Sequence, residues 1–251
     1  MKHITHYLKA ALLIIVLAQF PFSNLLARPK VLIFSKTAGF HHNSIAAGIP
    51  AIIKLGQENN FDVDTTTNSA KFTTENLKQY AAVIFLSTTG NVLNDEQQKA
   101  FQEYIHSGHG FVGVHAATDT EYDWPWYGDL VGAYFKSHPK QQEAVLHIVD
   151  RDFIATKHLP IEWKRFDEWY NYKYIAKGLH VLITIDEKSY SGGENGDNHP
   201  MAWYHKYDGG RAFYTELGHT DESYSDPLYL QHLLGGIKYA MGKANRHLKE
   251  F

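Results

Sequence analysis

The sequence predicts an α/β fold in which a doubly wound, mostly parallel sheet is flanked by helices. Three short apolar runs, at 30–35, 81–87 and 110–114, are bounded by turn residues and predict buried parallel strands. Amphipathic stretches between these runs predict crossover helices. Farther along, the turn residues 208–210 separate two apolar runs and predict a C-terminal antiparallel hairpin. A chain of 251 residues has enough apolar material for one such core.

The first half of the chain alternates strands and helices. Ser44 is a suitable cap for a helix that runs to about residue 59, and a strand follows at 61–67. Asn94 caps a second helix that ends near Ser107, ahead of two glycines. The order strand, helix, strand, strand, helix, strand is typical of a doubly wound sheet. In such sheets ligands bind beyond the carboxyl ends of the strands.

The second half has a looser spacing of elements. Its predicted elements in chain order are a short helix at 127–134, strands at 144–149 and 181–185, hairpin strands at 201–207 and 211–217, and a closing helix at about 226–241. No internal repeat or linker separates them, so we predict a single domain over residues 28–251.

The N-terminus has the pattern of a secretory signal peptide. Lys2 and Lys9 precede an apolar run at 10–20, which is followed by Pro21 and a small residue at Ala27. The alternative, an uncleaved membrane anchor, needs an apolar run of about 20 residues, and this run is shorter. We therefore predict that residues 1–27 are removed, that the protein is periplasmic or secreted, and that no stable membrane anchor remains.

The composition limits the possible chemistry. The chain has no cysteine, which excludes disulfides, thiolate metal ligands and a cysteine nucleophile. The formal net charge of −3 comes without any basic run, so no nucleic-acid partner is expected. We also expect no nucleotide cofactor. Sixteen histidines are present, and imidazole is both a proton shuttle near neutral pH and a common metal ligand.

His115 follows the buried strand 110–114 in the segment Gly-Val-His-Ala-Ala. In α/β hydrolases a sharp turn at the corresponding position projects a nucleophile into the cleft beside backbone N–H groups. An imidazole there can act as a general base, a metal ligand or a nucleophile. The alternative is a structural histidine bonded to a neighbouring carbonyl. Because ligand sites gather at strand ends, we predict a functional role.

Other histidines are predicted to reach the same edge of the sheet. His41 and His42 end the loop after the first strand, although both are solvated if Asn43 or Ser44 is only a helix cap. His199 and His219 flank the two hairpin strands, and antiparallel pairing brings them to one edge. His42, His115, His199 and His219 together would suit one Zn²⁺ or a similar divalent ion. Their spacing matches no established zinc motif.

Carboxylates and aromatic residues lie near these histidines in the sequence. Asp167 and Glu168 are adjacent, and because neighbouring strand residues point to opposite faces, at most one enters the cleft. Glu168 and Asp119 are predicted to transfer protons, although a surface pair without a role is the alternative for 167 and 168. The residues predicted to bind substrate are His41 and four aromatic residues, for which core filling is the alternative: Trp124, Trp126, Trp169 and Tyr170.

Five segments in order resemble the ThuA family. They are Val-Leu-Ile-Phe-Ser-Lys-Thr-Ala-Gly-Phe-His-His from 31, Gly-Val-His-Ala-Ala-Thr-Asp-Thr from 113, Asp-Glu-Trp-Tyr from 167, His-Pro-Met-Ala-Trp from 199 and Gly-Arg-Ala-Phe-Tyr-Thr-Glu-Leu-Gly-His from 210. The resemblance implies a class I glutamine amidotransferase-like, flavodoxin-like fold. It also implies a role in carbohydrate catabolism, in a family named for trehalose utilisation and linked to 3-keto-sugars.

The resemblance also bears on individual residues. The residues that fall in the recurring motifs of the family are His42, His115, Asp119, Glu168, His199 and His219. His41 stands where the family commonly has arginine, so an anion-binding role does not transfer to it. Since His115 occupies the nucleophile position and cysteine is absent, glutamine hydrolysis through a thioester is excluded.

Two classes of function follow from the sequence. The first is an enzyme that acts on a 3-keto-glycoside or related small sugar by hydrolysis, elimination or isomerisation, with His115 as base or metal ligand and one divalent metal. The second is a non-catalytic module that binds a sugar or a protein partner in an aromatic cleft. A classical serine hydrolase is disfavoured, because no Gly-x-Ser-x-Gly occurs.

Overall fold

The computed structural model describes residues 28–242, so the predicted signal peptide at 1–27 lies outside the described residues. The strands, in chain order, are β1 (Lys30–Phe34), β2 (Asp62–Thr66), β3 (Ala82–Leu86), β4 (Gly110–Val114), β5 (Ala133–Ser137), β6 (Gln142–Ile148), β7 (Glu162–Asp167), β8 (Asn171–Ile175), β9 (His180–Ile185), β10 (Pro200–Tyr207) and β11 (Gly210–Thr215). The α-helices are α1 (Ile45–Glu58), α2 (Thr74–Leu77), α3 (Asp95–His106), α4 (Pro125–Val131) and α5 (Pro227–Ala240).

Nine strands form one sheet in the order β2-β1-β3-β4-β11-β10-β9-β6-β7. The pairs from β2 to β11 are parallel, and the remaining pairs, from β11 to β7, are antiparallel. The predicted strands β1, β3 and β4 are confirmed, and nearly all of their side chains are buried because the sheet is covered on both faces. The carboxyl ends of β1, β3, β4 and β11 therefore meet at one edge.

The connection between β10 and β11 is a tight turn at Asp208 and Gly209, both with positive φ, as an antiparallel two-residue turn requires. On its other side β11 pairs in parallel with β4, with Thr215 opposite Val114. The chain that follows β11 is thereby set beside the chain that follows β4. The sequence did not indicate this placement, because β11 is far from β4 along the chain.

Several elements differ from the sequence predictions. The strands β5 and β8, which form a separate two-stranded sheet, and the edge strand β7 were not predicted. In β7 exposed and buried residues alternate, but two of the buried residues, Arg165 and Asp167, are charged, so the hydrophobic pattern does not indicate a strand. Ser44 precedes α1 as expected, but its hydroxyl donates to the Gly218 carbonyl at 3.0 Å and makes no cap bond. By contrast, Asn94 caps α3 in a complete capping box.

The core consists of the strand side chains and a continuous set of packed aromatic rings. Phe85 lies among Phe34, Phe101 and Phe111 with ring centroids 5.2–5.4 Å apart, and all four are fully buried. Such contacts exclude water from the centre of the sheet and hold its strand ends in fixed positions. Within residues 28–242, the helices are too short or too polar to span a membrane.

His232 is a buried histidine in α5 with both ring nitrogens in hydrogen bonds. Its Nδ1 donates to the Ala155 carbonyl at 2.8 Å, and its Nε2 lies 3.1 Å from the Thr215 hydroxyl. Burial lowers the pKa of His232 from 6.5 to about 3. In the unfolded chain His232 binds a proton near pH 6.5, whereas in the folded chain it does so only near pH 3. The free energy of unfolding therefore falls as the pH falls through this interval.

We predict that His232→Gln makes the stability less sensitive to acid. Between about pH 7 and about pH 4 the free energy of unfolding of the wild type should fall by about 3 kcal/mol more than that of the variant. Urea unfolding at a series of pH values measures this difference. The exposed His180 provides the control, because His180→Gln should keep the wild-type pH dependence. Equal slopes for His232→Gln and the wild type would contradict the prediction.

Candidate functional site

Four ionisable side chains converge at the carboxyl edge of the sheet. One ligand-type atom from each of His42, His115, Glu168 and His219 lies within 4.8 Å of those of the others. His42 follows β1, His115 follows β4, Glu168 follows β7 and His219 lies four residues after β11. We call these four residues the His/Glu cluster. All four were predicted as site residues, the three histidines from their positions at strand ends and Glu168 from its place among aromatic residues.

The backbone at His115 fixes the direction of its ring. His115 has a φ of 49°, an uncommon left-handed conformation that turns the chain directly after β4. The Tyr214 hydroxyl donates to the His115 carbonyl at 2.8 Å, and Nδ1 of His115 donates to the Glu216 carbonyl at 2.7 Å. Because a carbonyl only accepts, the hydrogen of the neutral ring is on Nδ1. In this tautomer Nε2 carries a lone pair that faces the cluster.

Three atoms of the cluster have the spacing of metal ligands. Nε2 of His115 lies 3.0 Å from Nδ1 of His219 and 3.5 Å from Oε2 of Glu168, and the last two atoms are 3.1 Å apart. Bonds of about 2.0–2.1 Å to a tetrahedral Zn²⁺ place neighbouring ligand atoms about 3.3 Å apart. Two imidazoles and a carboxylate at this spacing therefore fit a divalent cation.

His42 lies beside these three atoms and is almost fully buried, with 3% of its surface exposed. Its ring makes edge contacts with His115 and His219 at centroid distances of 4.8 and 5.2 Å. Its Nδ1 has no hydrogen-bond partner among the described residues. Burial, and then the neighbouring His115 and His219, lower the pKa of His42 to about 2. The ring is therefore neutral at physiological pH, which is the form that binds metal ions.

Glu168 is the anionic member of the cluster. Burial by itself raises the pKa of Glu168, but the neighbouring imidazoles of His115 and His219 outweigh this effect and hold the pKa below its usual range. The other carboxylate oxygen, Oε1, lies 3.1 Å from Nδ1 of His138, whose side chain is 43% exposed. The carboxylate thus links the buried histidines to a histidine at the surface.

The adjacent Asp167 points away from the cluster and holds the loop that carries His219. Its buried carboxylate accepts from the backbone N–H groups of Gly218 and His219, each at 3.2 Å. Gly218 has a φ of +112°, which strains other residues, so the turn favours glycine there. The sequence prediction that at most one of the two carboxylates enters the cleft agrees with this geometry: Glu168 enters, and Asp167 is structural.

Glu216 is a buried residue of the site that sequence reasoning missed. Its Oε1 accepts from the Tyr170 N–H at 3.1 Å and lies 3.7 Å from Nδ1 of His115, while its Oε2 is unpartnered among the described residues. Burial, and then the nearby Asp167, raise the pKa of Glu216 well above its usual range. Burial therefore favours the neutral form of this carboxyl group beneath His115. The sequence feature that could have identified Glu216 is its position as an acidic residue directly after an apolar strand.

Asp119 and Tyr170 lie next to the cluster without belonging to it. Burial raises the pKa of Asp119, and the Tyr122 hydroxyl donates to this carboxylate at 2.5 Å. Asp119 is close enough to His115 for their charges to interact. The ring of Tyr170 packs 4.5 Å from that of His115, and its hydroxyl lies 3.5 Å from Nε2 of His42.

His199 does not join the predicted metal set, although it reaches the same edge of the sheet. Its Nε2 donates to the Tyr170 carbonyl at 2.8 Å, and its Nδ1 lies 2.8 Å from Oε1 of Glu187. Both nitrogens are therefore engaged in holding neighbouring segments together. The structure brings together three of the four predicted metal-binding histidines and adds Glu168 in place of the fourth.

The tryptophans predicted to contact substrate are not at the cluster. Trp169 is fully buried, and its N–H donates to the Gln142 carbonyl at 2.9 Å, so its faces cannot stack on a ligand. The N–H of Trp126 donates to Asp208, in the turn at the amino end of β11, and Trp124 stacks on Trp126. Helix α4 carries these two rings back along the sheet, away from the carboxyl edge.

His41 is also separate from the cluster. It is exposed, and its Nδ1 lies 3.3 Å from the Thr37 hydroxyl. His42, the next residue, is turned inward and buried. The loop thus points its two histidines in different directions, and only His42 contributes to the cluster.

A cleft of about 590 Å³ opens above the cluster. His42 and His219 line its inner end, and Phe40 and Phe166 form apolar walls. Gln141 also lines the cleft, and its amide lies 2.7 Å from Nε2 of His219. An amide can donate or accept at this position by rotating, so it serves either tautomer of His219.

We predict that Asp167→Asn loosens the loop at Gly218 and His219. Replacing a buried carboxylate that accepts several backbone hydrogen bonds should lower the free energy of unfolding by about 2–4 kcal/mol. Urea unfolding provides the measurement. Glu162→Gln, at an exposed position of the same strand, is the control and should change stability by less than about 0.5 kcal/mol. A cost for Asp167→Asn no larger than the control's would show that other contacts hold the loop.

Comparisons with known proteins agree with this architecture. A crystal structure of a thua-like protein from Bacteroides uniformis is 24% identical and has a TM-score of 0.74, covering 90% of this chain and 97% of that one. A thua-like protein from Parabacteroides merdae is 23% identical with a TM-score of 0.68, covering 89% and 94%. A β-galactosidase from Bacillus circulans sp. alkalophilus shares the fold over 31% of its own length and 86% of this chain, at 11% identity and a TM-score of 0.57.

No curated protein matches the chain. The family model described as ThuA, trehalose utilisation, matches residues 30–240. That range contains every member of the His/Glu cluster and all eleven strands. This chain belongs to the ThuA family.

Proposed function

We propose that this protein is an exported enzyme of carbohydrate catabolism that acts on a 3-keto-glycoside or a related small sugar. The reaction takes place at the His/Glu cluster, with His115 as base or metal ligand. One divalent cation, Zn²⁺ or a similar ion, is held by His115, Glu168 and His219, with His42 beside them. The family description, trehalose utilisation, supports the sugar as substrate.

The observation that carries the proposal is the convergence of two imidazole nitrogens and a carboxylate oxygen, 3.0–3.5 Å from one another, beneath an open cleft. Ionisable groups are costly to bury, and such groups gathered at a cleft are typical of sites that perform chemistry. Their position at the carboxyl edge is also where ligands bind in α/β sheets. A bound cation would polarise a keto oxygen or lower the pKa of a water molecule.

The residues account for the proton transfers that a keto sugar needs. A keto group acidifies the hydrogens on the adjacent carbon, and removal of one such proton begins both isomerisation and elimination of a neighbouring glycosidic oxygen. Without a cation, the free Nε2 of His115 is the base, and its Nδ1–H bond to the Glu216 carbonyl keeps it oriented. With His115 as a ligand, Asp119, whose pKa is raised by burial, exchanges the proton.

The cellular setting is part of the same proposal. The segment of residues 1–27 has the pattern of a cleaved signal peptide, so we place the enzyme in the periplasm or outside the cell, without a stable membrane anchor. Its partner is a small carbohydrate. Because the charges are spread evenly along the chain and form no basic run, we propose no nucleic-acid partner. The polar and aromatic lining of the cleft suits such a ligand.

We predict that His115→Ala abolishes turnover of 3-keto-disaccharides. Loss of a general base or of a metal ligand should reduce kcat/KM by about a hundredfold or more. The value of kcat/KM is measured with 3-keto-trehalose as substrate, by chromatographic or NMR detection of the products. His180→Gln, at an exposed position outside the site, should retain wild-type turnover. Binding of the sugar without turnover, unchanged by His115→Ala, would contradict the proposal and favour a non-catalytic binding module.

We also predict that protein purified without chelator or affinity tag holds about one divalent metal ion per chain. Elemental mass spectrometry should find the ion in the wild type and at least about tenfold less in His219→Gln and Glu168→Gln. The matched control is His199→Gln, which should retain the ion because both nitrogens of His199 already bond to protein groups. A wild type that takes up no divalent ion, or equal loss in His199→Gln, would contradict the assignment.

A further inference from the structure

We propose that the outer part of the cleft, walled by Phe40 and Phe166, binds the second ring of a disaccharide. This inference rests on the proposed function, in which the first ring lies at the His/Glu cluster. It assigns the specificity for two-ring substrates to residues that the sequence did not single out. It also replaces the predicted stacking by tryptophans, whose rings lie elsewhere.

The first observation is the exposure of these two rings. Phe40 is 66% exposed and Phe166 is 56% exposed, whereas most other phenylalanines of the described chain are buried in the core. Both line the same cleft. Large apolar rings left in water at the walls of one cavity are typical of a ligand site.

The second observation is the combination of apolar walls with polar groups. Apart from the two phenylalanines, His42 and His219, the lining consists of amide, hydroxyl and carboxylate side chains, namely Asn43, Gln141, Thr220, Asp221 and Glu222. A pyranose ring has an apolar C–H face and an edge of hydroxyl groups. Its faces therefore suit the phenylalanine rings, and its hydroxyls suit the polar groups of the same cleft.

The third observation is continuity with the cluster. The ring of Phe40 lies 4.8 Å from that of His42 in an edge contact, and His42 and His219 line the inner end of the same cleft. The volume of about 590 Å³ lies well inside the range of roughly 300–1,000 Å³ in which proteins bind small molecules. A ring held between the walls is thus directly next to a ring held at the cluster.

Binding of trehalose and of methyl α-glucoside, measured by calorimetry, tests the subsite without requiring turnover. Phe166→Ala and Phe40→Ala should each weaken trehalose binding by about three- to tenfold and leave the single-ring glycoside nearly unaffected. Phe166→Trp keeps an aromatic face and should preserve trehalose binding. The control is Ile161→Ala, which removes a side chain that is 62% exposed but outside the cleft. It should bind both sugars as the wild type does.

Several results would overturn the subsite. These are unchanged trehalose affinity in both phenylalanine variants, an equal loss for both sugars, or a wild type that binds the two sugars equally. Turnover of methyl 3-keto-α-glucoside separates this inference from the proposed function, because it requires only the cluster. Turnover without a preference for two rings leaves the function intact and removes the subsite. The opposite outcome is also distinguishable. If the wild type turns over no keto sugar but the phenylalanine variants lose trehalose binding, the subsite stands and the proposed function fails.

Discussion

The parallel pairing of β11 with β4 is the constraint on which the site depends. It sets Thr215 opposite Val114. The residues that follow these two, Glu216 and His115, are therefore neighbours. The Glu216 carbonyl can then accept from Nδ1 of His115 at 2.7 Å, which fixes the tautomer and points Nε2 into the cluster. The same pairing brings His219 to within 3.0 Å of that nitrogen. A shift of one residue in this register would separate the two histidines.

The buried ionisable groups stabilise one another only in particular charge states. The imidazoles beside Glu168 hold its pKa low and favour its ionised form, whereas burial and a nearby carboxylate raise the pKa of Glu216 and favour its neutral form. His42 is neutral because burial and the neighbouring histidines oppose a proton. The cluster therefore combines a carboxylate whose ionised form is favoured, imidazole nitrogens that face each other and an orphaned Nδ1 on His42. A positive ion would satisfy each of these groups, which is the physical basis of the proposed metal site.

The proximity of His42, His115 and His219 could be predicted from the sequence because each of them follows a predicted strand. His42 and His115 follow buried apolar strands, whose carboxyl ends meet at one edge in any doubly wound sheet. Side-chain direction inside loops is less predictable. His199 reaches the correct edge, but the fold of the loop that contains Glu187 turns its ring toward protein partners. Trp169 adjoins Glu168 yet points into the core, because successive residues of an extended chain face opposite sides.

The aromatic walls of the cleft and the cluster are supplied by the same two chain segments. Phe40 lies two residues before His42, and Phe166 lies two residues before Glu168. In an extended strand such as β7, two residues advance the chain by about 7 Å, which is close to the width of a sugar ring. Each wall is thus fixed relative to a reacting group by a short stretch of backbone. A change in the length of either segment would alter the position of the phenylalanine ring and of the cluster together, so in the proposed function the binding of the second ring and the chemistry on the first would be coupled by covalent geometry.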